Sequence, residues 1–353
     1  MAKPFWRRWL AGIWIGVACL LGVLVIVIGV LALLPPGTRP IRGPEPIAEI
    51  RSIELGGFEQ TVLLRANDRR NPVLLYVHGG PGGGQLPLAR HYSQKLEKYF
   101  LVVHWDQRGA GASGKGVDWN SLSLERIVED TIELAEKLGE GRKIFLIGHS
   151  WGSLVGVKAV ERRPDLFYAY VGTGQLVHRD RQEQISYDWV VAQARQAADQ
   201  EALAELATIH PPYSRQAEFK LQRHWLSKYH GDEFAVDRVR EFLPAKLFGR
   251  EYTLGTRLHY QAYFDRSLEQ LLEDRLHVDL LSQVGRLEVP VFFFLGRQDY
   301  NTPTALVEEW ASRLQAPRVE IVWFEKAGHF LAVEAPEEFQ QRLVEKLLPL
   351  ARN

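Results

Sequence analysis

Three residue types that together make a nucleophile, its base and the base's orienting acid occur in this chain in one order: Ser150, Asp299 and His329. Ser150 is the centre of Gly148-His149-Ser150-Trp151-Gly152, a G-x-S-x-G pattern. Such a serine stands on a strained turn between a strand and a helix, and the flanking glycines leave room for neighbouring backbone. The N-terminus of the following helix favours negative charge developing there. A serine hydroxyl is a weak nucleophile, so it needs a base in reach, and the base needs a carboxylate to orient it. Asp299 closes Gly296-Arg297-Gln298-Asp299, and His329 lies in Ala327-Gly328-His329-Phe330. Serine, acid, histidine is one of the chain orders that support acyl transfer. Asp279 and Glu325 are the reserve acids. His149 reads as a packing residue of the turn.

Acyl transfer also needs donors for the oxyanion. His78-Gly79-Gly80-Pro81-Gly82-Gly83-Gly84 follows an apolar run, and its glycines let backbone N–H groups approach a substrate oxygen. The expected donors are the N–H groups of Gly80 and Trp151, with His78, Gly79, Pro81 and Gly82 as substrate-binding residues. One such donor is worth about 2.7–4 kcal/mol at the transition state. A phosphate-cradling reading fails, because neither a Walker lysine nor the G-x-G-x-x-G spacing is present. Asp106-Gln107-Arg108-Gly109 forms another tight loop. There Asp106 and Arg108 either clamp the loop as an ion pair, which is the favoured reading, or Arg108 faces substrate.

The elements that must hold these residues are short apolar strands alternating with helical patterns. Residues 72–77, 99–105, 143–147, 289–295 and 319–323 read as strands, and 47–64 as an antiparallel pair turning at Gly56-Gly57. Continuous apolar strands separated by helices imply a mostly parallel sheet covered on both faces. The three expected catalytic residues then each follow a strand end. Between residues 178 and 286 strand-like runs vanish and helical stretches such as Asp188 to Leu206 take over, which reads as an inserted helical cap. The expected organisation is core 47–177, cap 178–286 and core 287–353, an α/β fold.

The chain has 353 residues, 46% apolar, with 43 basic and 43 acidic side chains. That excludes a disordered chain, and the absence of a basic excess argues against a nucleic-acid partner. A single cysteine permits no disulfide within the chain. Residues 10–34 carry no charged side chain or histidine. As a helix this run spans about 37 Å, against about 30 Å of bilayer hydrocarbon. Lys3, Arg7 and Arg8 precede it and Arg39 and Arg42 follow, so residues 1–34 read as one uncleaved N-in transmembrane helix, with the catalytic part extracytoplasmic. The rival, a cleaved signal peptide, has a shorter apolar core and an A-x-A site. Five prolines between Pro35 and Pro46 read as a stiff linker over 35–46.

His-Gly-Gly-Pro-Gly, Asp-Gln-Arg-Gly-x-Gly-x-Ser, Gly-x-Ser-Trp-Gly, Gly-Arg-x-Asp and Gly-His together resemble the proline iminopeptidase family of α/β-hydrolases, from about Ile47 to the C-terminus. The resemblance implies an α/β-hydrolase core with a helical cap, a Ser150–Asp299–His329 triad, an oxyanion loop at His78 to Gly82, and removal of N-terminal residues from short peptides without a metal or other cofactor. Two features depart from the family's pattern. Its aminopeptidases hold the substrate's α-amino group with cap acids, often near a Trp-Glu pair. No Trp-Glu occurs in this cap, where Glu183, Asp188, Glu218, Asp232 and Glu233 are candidates and His224 to His230 is basic. The membrane helix is the second departure. The expectation is a membrane-anchored serine aminopeptidase. An esterase or amidase of the same fold and a non-catalytic binding protein are the alternatives. A serine at 150 argues against epoxide hydrolase and dehalogenase chemistry, which use an aspartate nucleophile there.

Overall fold

The computed structural model describes residues 5–33, 35–234, 245 and 249–351. Eight strands form one sheet: β1 (Ile47–Leu55), β2 (Phe58–Ala66), β3 (Val73–Val77), β4 (Leu101–Trp105), β5 (Ile144–His149), β6 (Phe167–Thr173), β7 (Val291–Gly296) and β8 (Val319–Phe324). Their spatial order is β1-β2-β4-β3-β5-β6-β7-β8. β1 and β2 pair antiparallel around the Gly56-Gly57 turn, β2 meets β4 antiparallel, and all other pairs are parallel. Strand β6 has no counterpart among the strands expected from sequence. It is buried in the sheet between β5 and β7.

Parallel strands cannot be joined by hairpins, so helices cross over and cover both faces. Among the described residues the α-helices are, in chain order, α1 (Phe5–Leu33), α2 (Leu86–Ser93), α3 (Leu124–Gly139), α4 (Trp151–Arg162), α5 (Arg179–Gln196), α6 (Gln200–Leu206), α7 (Gln216–Lys228), α8 (Leu254–Gln270), α9 (Leu272–Leu276), α10 (Leu280–Gln283), α11 (Thr304–Arg313), α12 (Leu331–Glu334) and α13 (Pro336–Leu347). Alternation along β3 divides the core. Val73, Leu75 and Val77 pack with α3, α4 and α11 on one face, while Leu74 and Tyr76 pack with α2 and α13 on the other.

The segment between β6 and β7 is helical where it is described. It has its own core of Val190, Ala194, Leu206, Tyr213, Trp225 and Leu226. The Asp188–Leu206 stretch is two helices rather than one. Ala198 takes φ 50° between them, and Asp199 caps the second by accepting from the Ala202 N–H at 3.0 Å.

Helix α1 is 29 residues long, and Trp14, Leu20, Val23 and Ile26 on it are exposed. Among the described residues no helix is long and apolar enough to cross a membrane. The segment after it is not a free spacer. Gly37 N donates to Arg250 O at 2.9 Å, and Thr38 bonds both Glu251 and Arg65.

Candidate active site

Strand β5 delivers Ser150 to a sharp turn with φ 52° and ψ −121°, and α4 starts at the next residue. A Cβ on Gly148 would lie 2.4 Å from the Gly152 carbonyl oxygen, and one on Gly152 would lie 2.1 Å from the Val77 oxygen. Only glycine fits at either place, which is the physical content of the motif. Ser150 N donates to Thr173 O at 2.9 Å, so β6 fixes the turn from the side.

Asp299 and His329 lie on loops beyond the ends of β7 and β8. His329 is 2% exposed and Asp299 is buried. His329 Nδ1 lies 2.9 Å from Asp299 Oδ2. Thr302, which the sequence reading did not single out, completes the acid's environment. Its N–H and its hydroxyl each donate to Asp299 at 2.7 Å, and its hydroxyl lies 3.1 Å from His329 Nδ1. Both reserve acids lie elsewhere. Asp279 caps α10 by accepting from Ser282, and Glu325 pairs with Arg297.

Ser150, Trp151, His149, Thr302 and His329 line one cavity of about 650 Å³, with Gly79, Gly80, Gly83 and Gly84 along one wall. That volume is in the range of small-molecule sites. Among the expected substrate-binding residues, Gly79 lines it and His78, Pro81 and Gly82 do not. His78 is fully buried, and its Nε2 accepts the Gln107 N–H at 3.1 Å. Burial pulls its pKa down to about 4, so it is a neutral brace. Gly82 abuts Ser267 of α8. His149 lines the cavity as well as packing, with its ring 5.0 Å from that of His329. Burial, then the neighbouring His329 and His78, hold it well below the usual imidazole pKa.

The Asp106–Arg108 ion pair does not form. Arg108 turns to the first helix after the loop and binds buried Asp130 at 2.9 and 3.1 Å. It is structural, as favoured, but with a different partner. Asp106 instead accepts the Ala112 N–H at 2.8 Å and the Gln85 N–H at 3.2 Å, tying its loop to the glycine loop. Burial raises its pKa to about 7 against those hydrogen bonds.

Of the cap acids, Glu183 and Asp232 line the cavity. Asp188 and Glu218 bond to Gln184 and Arg215 instead. Asp232 is 6% exposed. Ser227 donates to its Oδ2 at 2.8 Å, and its buried Oδ1 has no hydrogen-bond partner among the described residues. Its backbone oxygen accepts the His329 N–H at 2.7 Å, and Gly231 O accepts the Tyr300 N–H at 2.8 Å. One cap segment therefore clasps both the acid loop and the histidine loop. The basic run His224–His230 does not line the cavity, since Trp225 is in the cap core. Among the described residues no group of three or more metal-binding side chains occurs.

The chain matches the alpha/beta hydrolase family over residues 74–342. It is 29% identical over 306 residues to a probable aminopeptidase of Bacillus subtilis (strain 168), covering 84% of this chain and 95% of that one. The structure of a proline iminopeptidase-related protein from Thermus thermophilus superposes with a TM-score of 0.61 at 23% identity, covering 86% and 99% of the two chains. A bacterial membrane phospholipase A superposes with a TM-score of 0.63 at 20% identity, covering 98% of this chain and 99% of that one. With a matched family spanning most of the sheet and the cap, the chain belongs to the alpha/beta hydrolase family, as a proline iminopeptidase-like hydrolase.

Proposed function

We propose that this hydrolase is a membrane-anchored serine aminopeptidase that removes N-terminal residues from short peptides. His329 takes the proton of Ser150 as the hydroxyl attacks the scissile carbonyl. Asp299 holds the imidazole tautomer and offsets the positive charge that forms on it. The N–H groups of Gly80 and Trp151 receive the oxyanion. The His329 proton passes to the leaving amine, and water, deprotonated by the same histidine, releases the acyl group. Asp232 holds the α-amino group of the substrate. The observation that carries this reading is the 2.9 Å contact between Asp299 and His329, which lines one cavity with Ser150.

The anchor belongs to the same proposal. The 25 residues 10–34, without a charged side chain or histidine, would span about 37 Å as a helix, enough for a bilayer. The exposed apolar side chains of α1 suit lipid better than water. The positive charges before it orient the catalytic part away from the cytoplasm.

A second reading, an anchored hydrolase of acyl esters, is favoured by one observation. The likeness to the membrane phospholipase A extends over 98% of this chain, α1 included. The test is a panel of aminoacyl-anilides and acyl esters, with Ser150→Ala as the control. The proposal expects aminoacyl-anilide turnover that disappears in Ser150→Ala. Ester turnover alone supports the second reading, and unchanged turnover in Ser150→Ala rejects the nucleophile.

A further inference from the structure

The proposed chemistry uses the Ser150 end of the cavity and one cap acid. The cap also puts cations into the cavity wall. Arg179 and Glu183 are on α5, Arg223 on α7 and Arg275 on α9, and all four line the cavity. Glu183 is fully engaged by Arg223, whose two terminal nitrogens each donate to it at 3.2 Å. Arg179 is 8% exposed. It bonds the Tyr213 carbonyl and reaches Asp180 at 3.3 Å, a carboxylate that is itself largely exposed. For Arg275 the cap supplies less. Its Nη1 is buried with no hydrogen-bond partner among the described residues, and the same holds for Arg223 Nε.

Both guanidinium groups stand over the Phe219 ring, at 4.4 Å for Arg223 and 4.7 Å for Arg275. That stacking fixes their planes. Burial, then repulsion from Arg223 and Arg179, draws the Arg275 pKa down to about 10, with Glu183 acting in the opposite direction. The group is therefore still charged at neutral pH. Arg223 thus takes the buried carboxylate of Glu183, Arg179 has Asp180, and Arg275 keeps a buried donor without an acceptor among the described residues, which is costly for a charged group. An incoming anion would satisfy these donors at once. A planar carboxylate suits a guanidinium fork best.

We infer that Arg179, Arg223 and Arg275 form a subsite for the C-terminal carboxylate of a short peptide. It rests on the aminopeptidase reading. With Asp232 at the amino end, the enzyme then measures its substrate by both charged ends, so di- and tripeptides are favoured over long chains.

The test uses the full chain in detergent. N-terminally free di- and tripeptides are compared with their C-terminal carboxamides, and an aminoacyl-anilide serves as the carboxylate-free arm. The acids are expected to exceed the amides by at least tenfold in kcat/KM, chiefly through KM. Arg275→Gln should bring that ratio near one, and Arg275→Lys should keep part of it. Equal rates for acid and amide in the unaltered enzyme, with the anilide hydrolysed, would overturn the subsite and leave the aminopeptidase reading standing. If neither peptides nor anilide are hydrolysed, that reading has failed instead. The subsite is then judged by protection of Ser150 from a fluorophosphonate. Protection by the peptide acid and not by its amide supports it, whereas equal protection by both, or protection by inorganic phosphate alone, overturns it.

Discussion

Ser150 sits where an L-residue is rarely found, at φ 52°, and such backbone costs on the order of 1–3 kcal/mol. The surroundings hold it there through close approaches that were partly legible in the sequence. The spacing of Gly148 and Gly152 around the serine marked the turn, and the Gly-x-x-Asp and Gly-His pairs marked the loops that carry Asp299 and His329. What supports those residues was not legible. Thr302, Thr173 and Asp232 act through contacts set by loop geometry and by a distant segment, and no local pattern announces them. Gly174 is a further case. A Cβ there would lie 2.6 Å from His329 Cε1, on a residue with φ +49°. Gly174→Ala should therefore push the imidazole aside and lower kcat by roughly 100-fold, with the urea midpoint as the check that folding survives. Asp232 gives the second prediction at this scale. If its unpartnered oxygen receives an α-amino group, Asp232→Asn should lower the ratio of aminoacyl-anilide to acyl-ester kcat/KM by at least tenfold. An unchanged ratio would remove Asp232 from substrate recognition.

Elements were read from sequence best where they are apolar and bounded by glycine or proline. Strands β3, β4, β5, β7 and β8 fall within a few residues of expectation. Strand β6 did not, because Phe167 to Thr173 is rich in tyrosine and separated from α4 by only a brief turn. Arg108 was read as local to its loop, whereas its partner Asp130 is on α3. Pairings of that kind are decided by how helices pack on the sheet. Strand β4 also carries a titratable group into the core. His104 is 1% exposed, and burial, then Arg65 and His78, bring its pKa down to about 3. The folded form therefore binds fewer protons than the unfolded chain, whose histidine titrates near 6.5. Its contribution is fully present above about pH 6.5 and is lost as pH falls toward 3, on the order of 2–3 kcal/mol by pH 4.5. In His104→Phe the loss of stability between pH 7 and pH 4.5, measured by urea denaturation, should be smaller by about 2 kcal/mol. Asp106 titrates with the opposite sign, but it is common to both proteins and cancels in the difference.

The whole molecule joins a catalytic core, a cap and an N-terminal helix more tightly than the sequence suggested. Pro35 to Pro46 read as a spacer, yet Gly37 and Thr38 are pinned to Arg250, Glu251 and Arg65. Helix α1 approaches α8, whose Tyr260, Phe264 and Leu268 line the cavity. In the proposed anchored form the cap would lie close to the bilayer surface. Deleting residues 1–34 should move the protein from the membrane to the soluble fraction while keeping turnover of small substrates within a few-fold. Persistent membrane association of the truncated chain would contradict the anchor.

The central claim is that Ser150 is the nucleophile, activated by His329 and Asp299. Its most direct measurement is reaction of the full chain with a fluorophosphonate, followed by mass spectrometry of the digested protein. The account predicts a single adduct, on Ser150, formed far more slowly in His329→Ala and absent in Ser150→Ala. An adduct on another residue, or peptide turnover that survives in Ser150→Ala, would contradict it.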